Sequence, residues 1–397
     1  MDNQLNVYYK WVILVISFLM MIGFALTLQV LPPLFEQIIK DVFFTNSQAG
    51  MLMGAYAIPG IFLPFLVAYL AERYDIKMMV ILALIFMIAG LVASSTAQSF
   101  SLLLFYRLIV GVGATVLVVI APLLITMYFQ QQNIGIAMGI FNIAVPVGTV
   151  LAANLFGYLG EYAGWRTIML WVAVYLGILL AFVYFALKLS KNETKVVEAS
   201  EEEPTKVFIG SLNLWLLGAI WALANAQILA YMTFGPQFYQ LSGISEQKSG
   251  FLTSLIMFVP IFVTPIIGII FDKTGHKKPY LIMGGIISLI SFAFMAINYL
   301  ALPFWATALG IGFAPLSVFV FSFLTETVRP HQVGMGLGLL TVSSNIGITL
   351  GPIMLGAILD QTNGDFLVAL ITLAVLSLIN IFISFMLKTK AKTRYFL

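Results

Sequence analysis

The sequence has no cysteine and few charged residues. Only 9% of its 397 residues are charged, whereas a soluble domain usually carries about 25%. Without cysteine, the chain can form neither disulfides nor thiolate metal sites. Soluble domains would also need helices with one charged face, and the apolar runs here have none. The composition, which is 61% hydrophobic, therefore excludes a chain of soluble domains.

The motifs of several functional classes are missing as well. No G-x-x-x-x-G-K-[ST] loop occurs, so the chain is not an ATP-driven pump by itself. His276 and His331 fall in predicted loops, and neither a metal cluster nor a serine with a nearby histidine is visible. The net charge of +3 is scattered and forms no basic face for nucleic acid. We therefore expect no enzyme activity, cofactor, metal or nucleic-acid partner.

Long apolar runs make up most of the chain. Crossing a bilayer core of about 30 Å takes roughly 20 apolar residues in a helix. The first run, after Lys10, is too long for a signal-peptide core and lacks a cleavage site, so we expect it to be retained. These runs predict an all-α membrane protein with twelve transmembrane spans, which begin near Trp11, Ser47, Met78, Leu102, Ile134, Arg166, Phe208, Gln247, Tyr280, Leu302, Val333 and Phe366.

The basic residues predict how the spans are oriented. With the N-terminus in the cytoplasm, fifteen of the 19 Lys and Arg lie on that side, and only Lys40, Arg166 and Lys248 lie in loops on the other. This bias follows the positive-inside rule. We expect both termini in the cytoplasm, a monomer in the inner membrane of a prokaryote, and membrane lipids and a small-molecule substrate as partners.

A charged segment divides the spans into two sets of six. Nine of the nineteen residues at 188–206 are charged, which is typical of a solvated linker. We predict bundles at 1–188 and 208–397, joined by a linker at 189–207. The halves repeat, since glycines 139, 148 and 157 match glycines 338, 347 and 356 at an offset of 199. Such duplicated halves are a common build of secondary transporters, with the substrate site between them.

The loops after the second and eighth spans carry a family signature. The second-half copy nearly matches G-x-x-x-D-[RK]-x-G-x-[RK]-[RK], and the first-half copy keeps an acid and two bases but loses both glycines. The matching residues are Gly268, Asp272, Lys273, Gly275, Lys277 and Lys278, with Glu72, Arg73 and Lys77 in the first half. Arg107, Gly111 and Gly113 match a second family motif in the fourth span. Over nearly its whole length the chain resembles the major facilitator superfamily.

This resemblance implies two six-helix bundles around one central cavity that opens to either side in turn. It also implies that the signature loops act as a latch on one access state, beside their plain role of anchoring topology. A third motif, that of drug and proton antiporters, is only partly present. We expect close helix packing at Gly111, Gly113, Gly139, Pro146, Gly148, Gly157, Gly338, Gly347, Gly351 and Gly356.

Arg107 is the one charge predicted deep inside the bilayer, where it costs several kcal/mol unless it faces protein or water. It either holds helices together through carbonyls and helix ends, or it contacts an anionic substrate. No carboxylate is predicted at mid-membrane, so a proton site of the usual kind is missing. That absence favours a uniporter, an anion exchanger or coupling through helix-end acids, and leaves the coupling ion open.

The seventh span holds four polar or aromatic side chains within an arc of about 160°, namely Trp221, Asn225, Gln227 and Tyr231. In the family, the first, fourth, seventh and tenth spans line the cavity, so this arc resembles a substrate-contacting wall. Hydrogen bonding between helices is the alternative for each member. The substrate-binding candidates, besides Arg107, are Trp221, Asn225, Gln227, Tyr231, Gln29, Tyr56, Asn142, Ser344 and Asn345, with Asn154 and Ser343 as further polar positions.

These observations predict a secondary transporter for a small anionic or polar metabolite, with Arg107 in the region of the central cavity. Two alternatives stay open. One is an exporter of drugs or other lipophilic compounds, favoured by the aromatic content. The other is a membrane receptor or scaffold that uses the same fold without transporting.

Overall fold

The computed structural model is all-helical and describes residues 2–129, 133–188, 211–274, 277–297, 301–328 and 332–388. For residues 2–8, 271–274, 277 and 325 only the backbone is described. No strand occurs in these ranges. Within them, eleven helices are long and apolar enough to cross a membrane, and a bent pair of helices makes the twelfth span. The predicted all-α membrane fold with twelve spans is confirmed.

The spans are numbered α1 to α12 along the chain. A 3₁₀ turn at Pro32–Leu34 and a short helix at Phe35–Val42 join α1 to α2. The second span, α2, consists of three pieces, Asn46–Ala57, Pro59–Phe62 and Pro64–Ala71. The others are α1 Asp2–Gln29, α3 Ile76–Ser95, α4 Phe100–Tyr128, α5 Ile134–Ala163, α6 Trp165–Ala186, α7 Leu212–Leu241, α8 Glu246–Thr274, α9 Lys277–Ile297, α10 Leu302–Thr327, α11 Val333–Gln361 and α12 Phe366–Met386.

Local sequence explains where α2 begins and bends. Thr45 and Gln48 form a capping box, in which each side chain accepts a hydrogen bond from the other residue's backbone N–H. Pro59 and Pro64 each start a new helical piece, the position where the missing proline N–H costs least. The last piece is turned by 49° from the rest of the span.

The two halves contact each other where α2 packs against α11 and where α5 packs against α8. A β-carbon on Gly50 would lie 2.2 Å from the Pro352 carbonyl oxygen, and one on Gly250 would lie 2.1 Å from that of Ala153. The two glycines are 200 residues apart and their partners 199, so these contacts are equivalent in the internal repeat. Any side chain at either glycine would push the halves apart.

Both contacts lie near one end of the bundle. We call the end that carries Asn46, Glu246 and Asp360 the outer end, after the charge-based prediction, and the opposite end the inner end. Toward the inner end, α5 and α8 separate, since a β-carbon on Gly139 or Gly268 would meet no atom of another described segment within 4 Å. The expected close packing at Gly139 does not occur, because Gly139 lies where these two helices part.

Most of the other predicted packing positions do bring helices together. Gly157 contacts the Glu246 carboxyl, and Gly338 contacts the ring of Phe65. Pro146 lies inside α5. The backbone of another helix would lie within 3.0 Å of a β-carbon at Gly111, Gly113, Gly148, Gly347, Gly351 and Gly356.

Candidate functional site

A cavity of about 360 Å³ lies between the two halves. Six of the predicted substrate-binding residues line it, two from the first half and four from the second. They are Gln29 on α1, Tyr56 on α2, Trp221 and Asn225 on α7, and Ser344 and Asn345 on α11. The cavity therefore has contributions from both halves, as a site used in alternating access requires.

The remaining lining is apolar or weakly polar. Thr115, Thr149 and Thr341 border the cavity, together with Phe24 and Phe321. Nothing in the sequence singled out these threonines, because isolated threonines in apolar helices usually bond to their own backbone. No acidic or basic side chain is among the described residues that line the cavity. The described residues also contain no group of three acids or histidines that could hold a metal ion.

Arg107 lies outside this lining, buried to 3% exposure in the first half. Its guanidinium donates to the carbonyl oxygens of Thr27 at 2.5 Å and Leu28 at 2.7 Å, and its Nε donates to that of Leu52 at 3.3 Å. The guanidinium also lies 4.7 Å from the centre of the Tyr56 ring. Arg107 thus lies beside the cavity-lining Tyr56, and its donors are directed at main-chain carbonyls, which matches the first of the two roles considered for it and not the contact with a substrate.

The sequence around Pro32 explains why those carbonyls need a donor. Thr27 and Leu28 are in the last turn of α1, where helix carbonyls have no partner within the helix. Continuing the helix would not supply one for Leu28, because its donor four residues on is Pro32, which has no N–H. A positive charge is also favourable at the C-terminal end of a helix dipole. Arg107 thus caps α1 and ties it to α2 and α4.

The polar arc of α7 is divided between two surroundings. Trp221 and Asn225 face the cavity. Gln227 is buried and accepts a hydrogen bond from Ser377 on α12 at 3.2 Å. The Tyr231 hydroxyl lies 2.7 Å from that of Tyr239, inside the second half. Side chains spread over about 160° of a helix surface cannot all meet the same neighbour, so the two sides of the arc contact different parts of the protein.

The other polar candidates also have separate positions. Asn142 is exposed on α5 and does not line the cavity. Asn154 donates to the Ser254 hydroxyl at 3.2 Å and so links α5 to α8. Ser343 packs against Gly218, where a β-carbon would lie 2.8 Å from its hydroxyl oxygen. Asn154 and Ser343 therefore contribute to helix packing rather than to the cavity.

A second cavity, of about 440 Å³, lies at the outer end. Pro32 and Thr233 line it, and they follow Gln29 and Leu229 of the central cavity by three and four residues. Between the two cavities, the amide nitrogen of Gln29 lies 3.7 Å from the sulfur of Met232. This contact joins α1 to α7, so a thin layer of side chains closes the central cavity on its outer side.

Asp360 makes a direct polar contact between the halves. Its two carboxylate oxygens accept hydrogen bonds from the backbone N–H groups of Asn46 at 3.0 Å and Ser47 at 2.8 Å. These donors are at the N-terminus of α2, where negative charge is stabilised. The equivalent acid of the first half, 199 residues earlier, is Glu161, and its neighbour on α8 is the Glu246 carboxyl.

The signature loops at the inner end are described in part. Lys77 donates to the carbonyl of Tyr184 at 2.7 Å, and Lys278 donates to that of Phe385 at 2.6 Å. The two lysines thus cap the ends of α6 and α12 in equivalent ways. Glu72 is exposed, Arg73 lies over the Tyr69 ring, and a β-carbon on Gly268 would have no neighbour within 4 Å in the described part of the chain. Gly275 and the side chains of Asp272, Lys273 and Lys277 lie outside the described residues, and their latch role stays a prediction.

Comparison with known proteins agrees with this architecture. The sequence model described as Major Facilitator Superfamily matches residues 13–323 and 236–396. The lysosomal dipeptide transporter MFSD1 of Danio rerio is 22% identical, over 94% of this chain and 86% of that protein. The nitrite extrusion protein of Bacillus subtilis is 21% identical, over 87% of this chain and 86% of that protein.

A solved structure shares the fold. The crystal structure of a bacterial homologue of the human lysosomal transporter Spinster, in an inward-facing and unoccupied conformation, matches with a TM-score of 0.79. The sequences are 18% identical, and the match covers 96% of each chain. The two-bundle fold expected from the sequence is therefore confirmed.

Proposed function

The chain belongs to the Major Facilitator Superfamily, and we propose that it carries a small polar solute, with the central cavity as the solute site. Transport, rather than an enzymatic or purely structural role, follows from the family. The proposal adds the site and the kind of solute. The single observation that supports it most is the cavity itself, which contacts both halves and holds three amide side chains.

The lining of the cavity favours a polar solute that can bind without a buried positive charge on the protein. A carboxylate or nitrite ion that left water would need a positive charge or several donors in return. The described lining contains no basic side chain, and Arg107, outside the lining, donates to three main-chain carbonyls. The named substrates of the relatives, a dipeptide and nitrite, include both kinds of solute. Of these, the polar organic solute fits the amide and aromatic lining better.

Uptake by purified protein in proteoliposomes tests the site. A panel of labelled amino acids, dipeptides, nucleosides, sugars and inorganic anions would first identify a transported solute. Asn225→Ala should then raise the concentration for half-maximal uptake about twofold to tenfold, since one hydrogen bond is worth about 0.5 to 1.5 kcal/mol. Asn142→Ala, an exposed amide outside the cavity, serves as the matched control. Unchanged uptake in both variants would contradict the central cavity as the site.

We also propose that the outer end faces away from the cytoplasm, from the distribution of basic residues. The absence of cysteine allows a direct test with single-cysteine variants. Tyr162 is 76% exposed at the outer end, and Tyr74 is 62% exposed at the inner end. In intact cells, a membrane-impermeant maleimide should label Tyr162→Cys strongly and Tyr74→Cys only after lysis. The reverse pattern would overturn the orientation.

A further inference from the structure

The hydrogen-bond donors of the central cavity are largely used by the protein itself. The amide nitrogens of Asn225 and Asn345 donate to carbonyls one turn back in their own helices, at 2.8 and 2.9 Å. The hydroxyls of Thr115 and Thr341 do the same, at 2.8 and 2.9 Å. The Tyr56 hydroxyl donates to the Phe24 carbonyl at 2.9 Å. Each of these groups therefore uses, in a hydrogen bond within the protein, a donor that could otherwise bind a solute.

The acceptors of the same groups remain available. An amide oxygen has two lone pairs, and a hydroxyl that has donated its hydrogen can still accept. Asn225, Asn345 and Gln29 each keep a carbonyl oxygen, and no hydrogen bond to any of these three oxygens occurs among the described residues. Each amide group keeps one N–H, and the Trp221 indole and the Ser344 hydroxyl are further donors in the lining, but the lone pairs of the amide and hydroxyl oxygens outnumber these donors. The cavity therefore offers a solute mainly oxygen lone pairs.

Aromatic rings add to this preference. Trp221 is held by a stacked contact with Phe313 at 6.2 Å and an edge contact with Phe321 at 5.2 Å between ring centres. On the opposite half, Phe24 and Tyr56 pack at 5.6 Å. The faces of aromatic rings attract cations and N–H groups and repel anions. The Tyr56 ring already has the Arg107 guanidinium 4.7 Å from its centre. The rings of Phe24, Trp221 and Phe321, together with the oxygen lone pairs, present partial negative charge to the solute.

We propose that this cavity selects a solute rich in N–H or O–H donors that is neutral or positively charged, and that it excludes anions of the same size. This inference rests on the proposed function of the cavity and narrows its solute class. An amine or amide group can donate to Asn225 and Asn345 at once, whereas a carboxylate can only accept. An anion would leave the free oxygens of the cavity unpaired and would lose its own hydration.

Three compounds with one scaffold test the proposal. The series 3-phenylpropylamine, 3-phenylpropanamide and 3-phenylpropanoate passes from a cation with three N–H donors, through a neutral amide with two, to an anion with none. Binding to the purified full chain is measured by calorimetry. We expect the amine and the amide to bind with a Kd at least tenfold lower than that of the propanoate.

Charge substitution in the cavity completes the test. Asn225→Asp should widen the difference in Kd between amine and propanoate a further tenfold. Asn345→Asp should act in the same direction and replaces the first variant if that one does not fold. The control Asn142→Asp should leave both Kd values unchanged. A propanoate that binds as tightly as the amine, yet responds to Asn225→Asp, would overturn the solute class and leave the cavity as the site. Binding of none of the three would also overturn the solute class. Binding insensitive to both cavity variants would overturn the site as well.

Discussion

Arg107→Ala should unfold at a markedly lower temperature than the wild type, because two carbonyls at the end of α1 lose their donors. Each buried carbonyl left unpaired costs about 1 to 3 kcal/mol, so the expected loss of stability is about 2 to 6 kcal/mol. The unfolding temperature of Arg107→Lys should lie between those of the wild type and Arg107→Ala, since an ammonium lacks the planar fork that reaches Thr27 and Leu28 together. Thermal unfolding of the purified protein, with solute binding on the same samples, measures both effects.

Arg73→Ala is the matched control for the loss of an arginine. Arg73 is exposed and lies over the Tyr69 ring, 4.3 Å from its centre, so its removal should leave the unfolding temperature nearly unchanged. The opposite reading of Arg107, as a contact for an anionic substrate, predicts a different pattern. Arg107→Ala would then keep its stability, and excess anion would restore the uptake rate.

Asp360→Asn should shift the protein toward a state open at the outer end, whereas Glu161→Gln should shift it the other way. The two acids occupy equivalent positions in the repeat, but one faces the positive end of a helix and the other faces a second acidic side chain. Asp360 meets the N-terminus of α2, and Glu161 meets the Glu246 carboxyl. A charge at a helix end is worth about 1 kcal/mol, so losing it should change the population ratio roughly fivefold.

A cysteine at position 233 can report this shift. Thr233 is 2% exposed and lines the outer cavity, and the chain has no other cysteine. We expect a membrane-impermeant maleimide to label Thr233→Cys faster when Asp360→Asn is added and more slowly when Glu161→Gln is added. Changes of equal sign in the two variants would show that the surroundings of these acids do not control the outer closure.

Much of the fold could be predicted from local sequence patterns. Apolar runs of membrane length are local features, and so they predicted the number of spans without knowledge of their packing. The repeat of small residues predicted most of the close approaches, such as that of Gly347 to Ala222. Gly139 was the exception. The same face of α5 that packs on α8 at Gly157 is left free at Gly139, because the two helices diverge toward the inner end.

The candidate site could be predicted only in part. Trp221 and Asn225 face the cavity, while Gln227 and Tyr231, on the same polar arc, face the interior of the second half. Helical periodicity gives the relative directions of side chains on one helix, but not the neighbour that each direction meets. That neighbour depends on how α7 packs against α8, α11 and α12.

By itself, the sequence determined that the chain spans a membrane in two repeated halves, because hydrophobicity and repetition are properties of the chain alone. It also determined that Arg107 needed a partner, since a buried charge cannot stay unpaired. Only the tertiary structure decided what that partner is. The carbonyls of Thr27 and Leu28 lie about 80 residues before Arg107, and the amides that Asp360 binds lie more than 310 residues before it. Such pairings depend on the packing of α1, α2, α4 and α11, which no local pattern encodes.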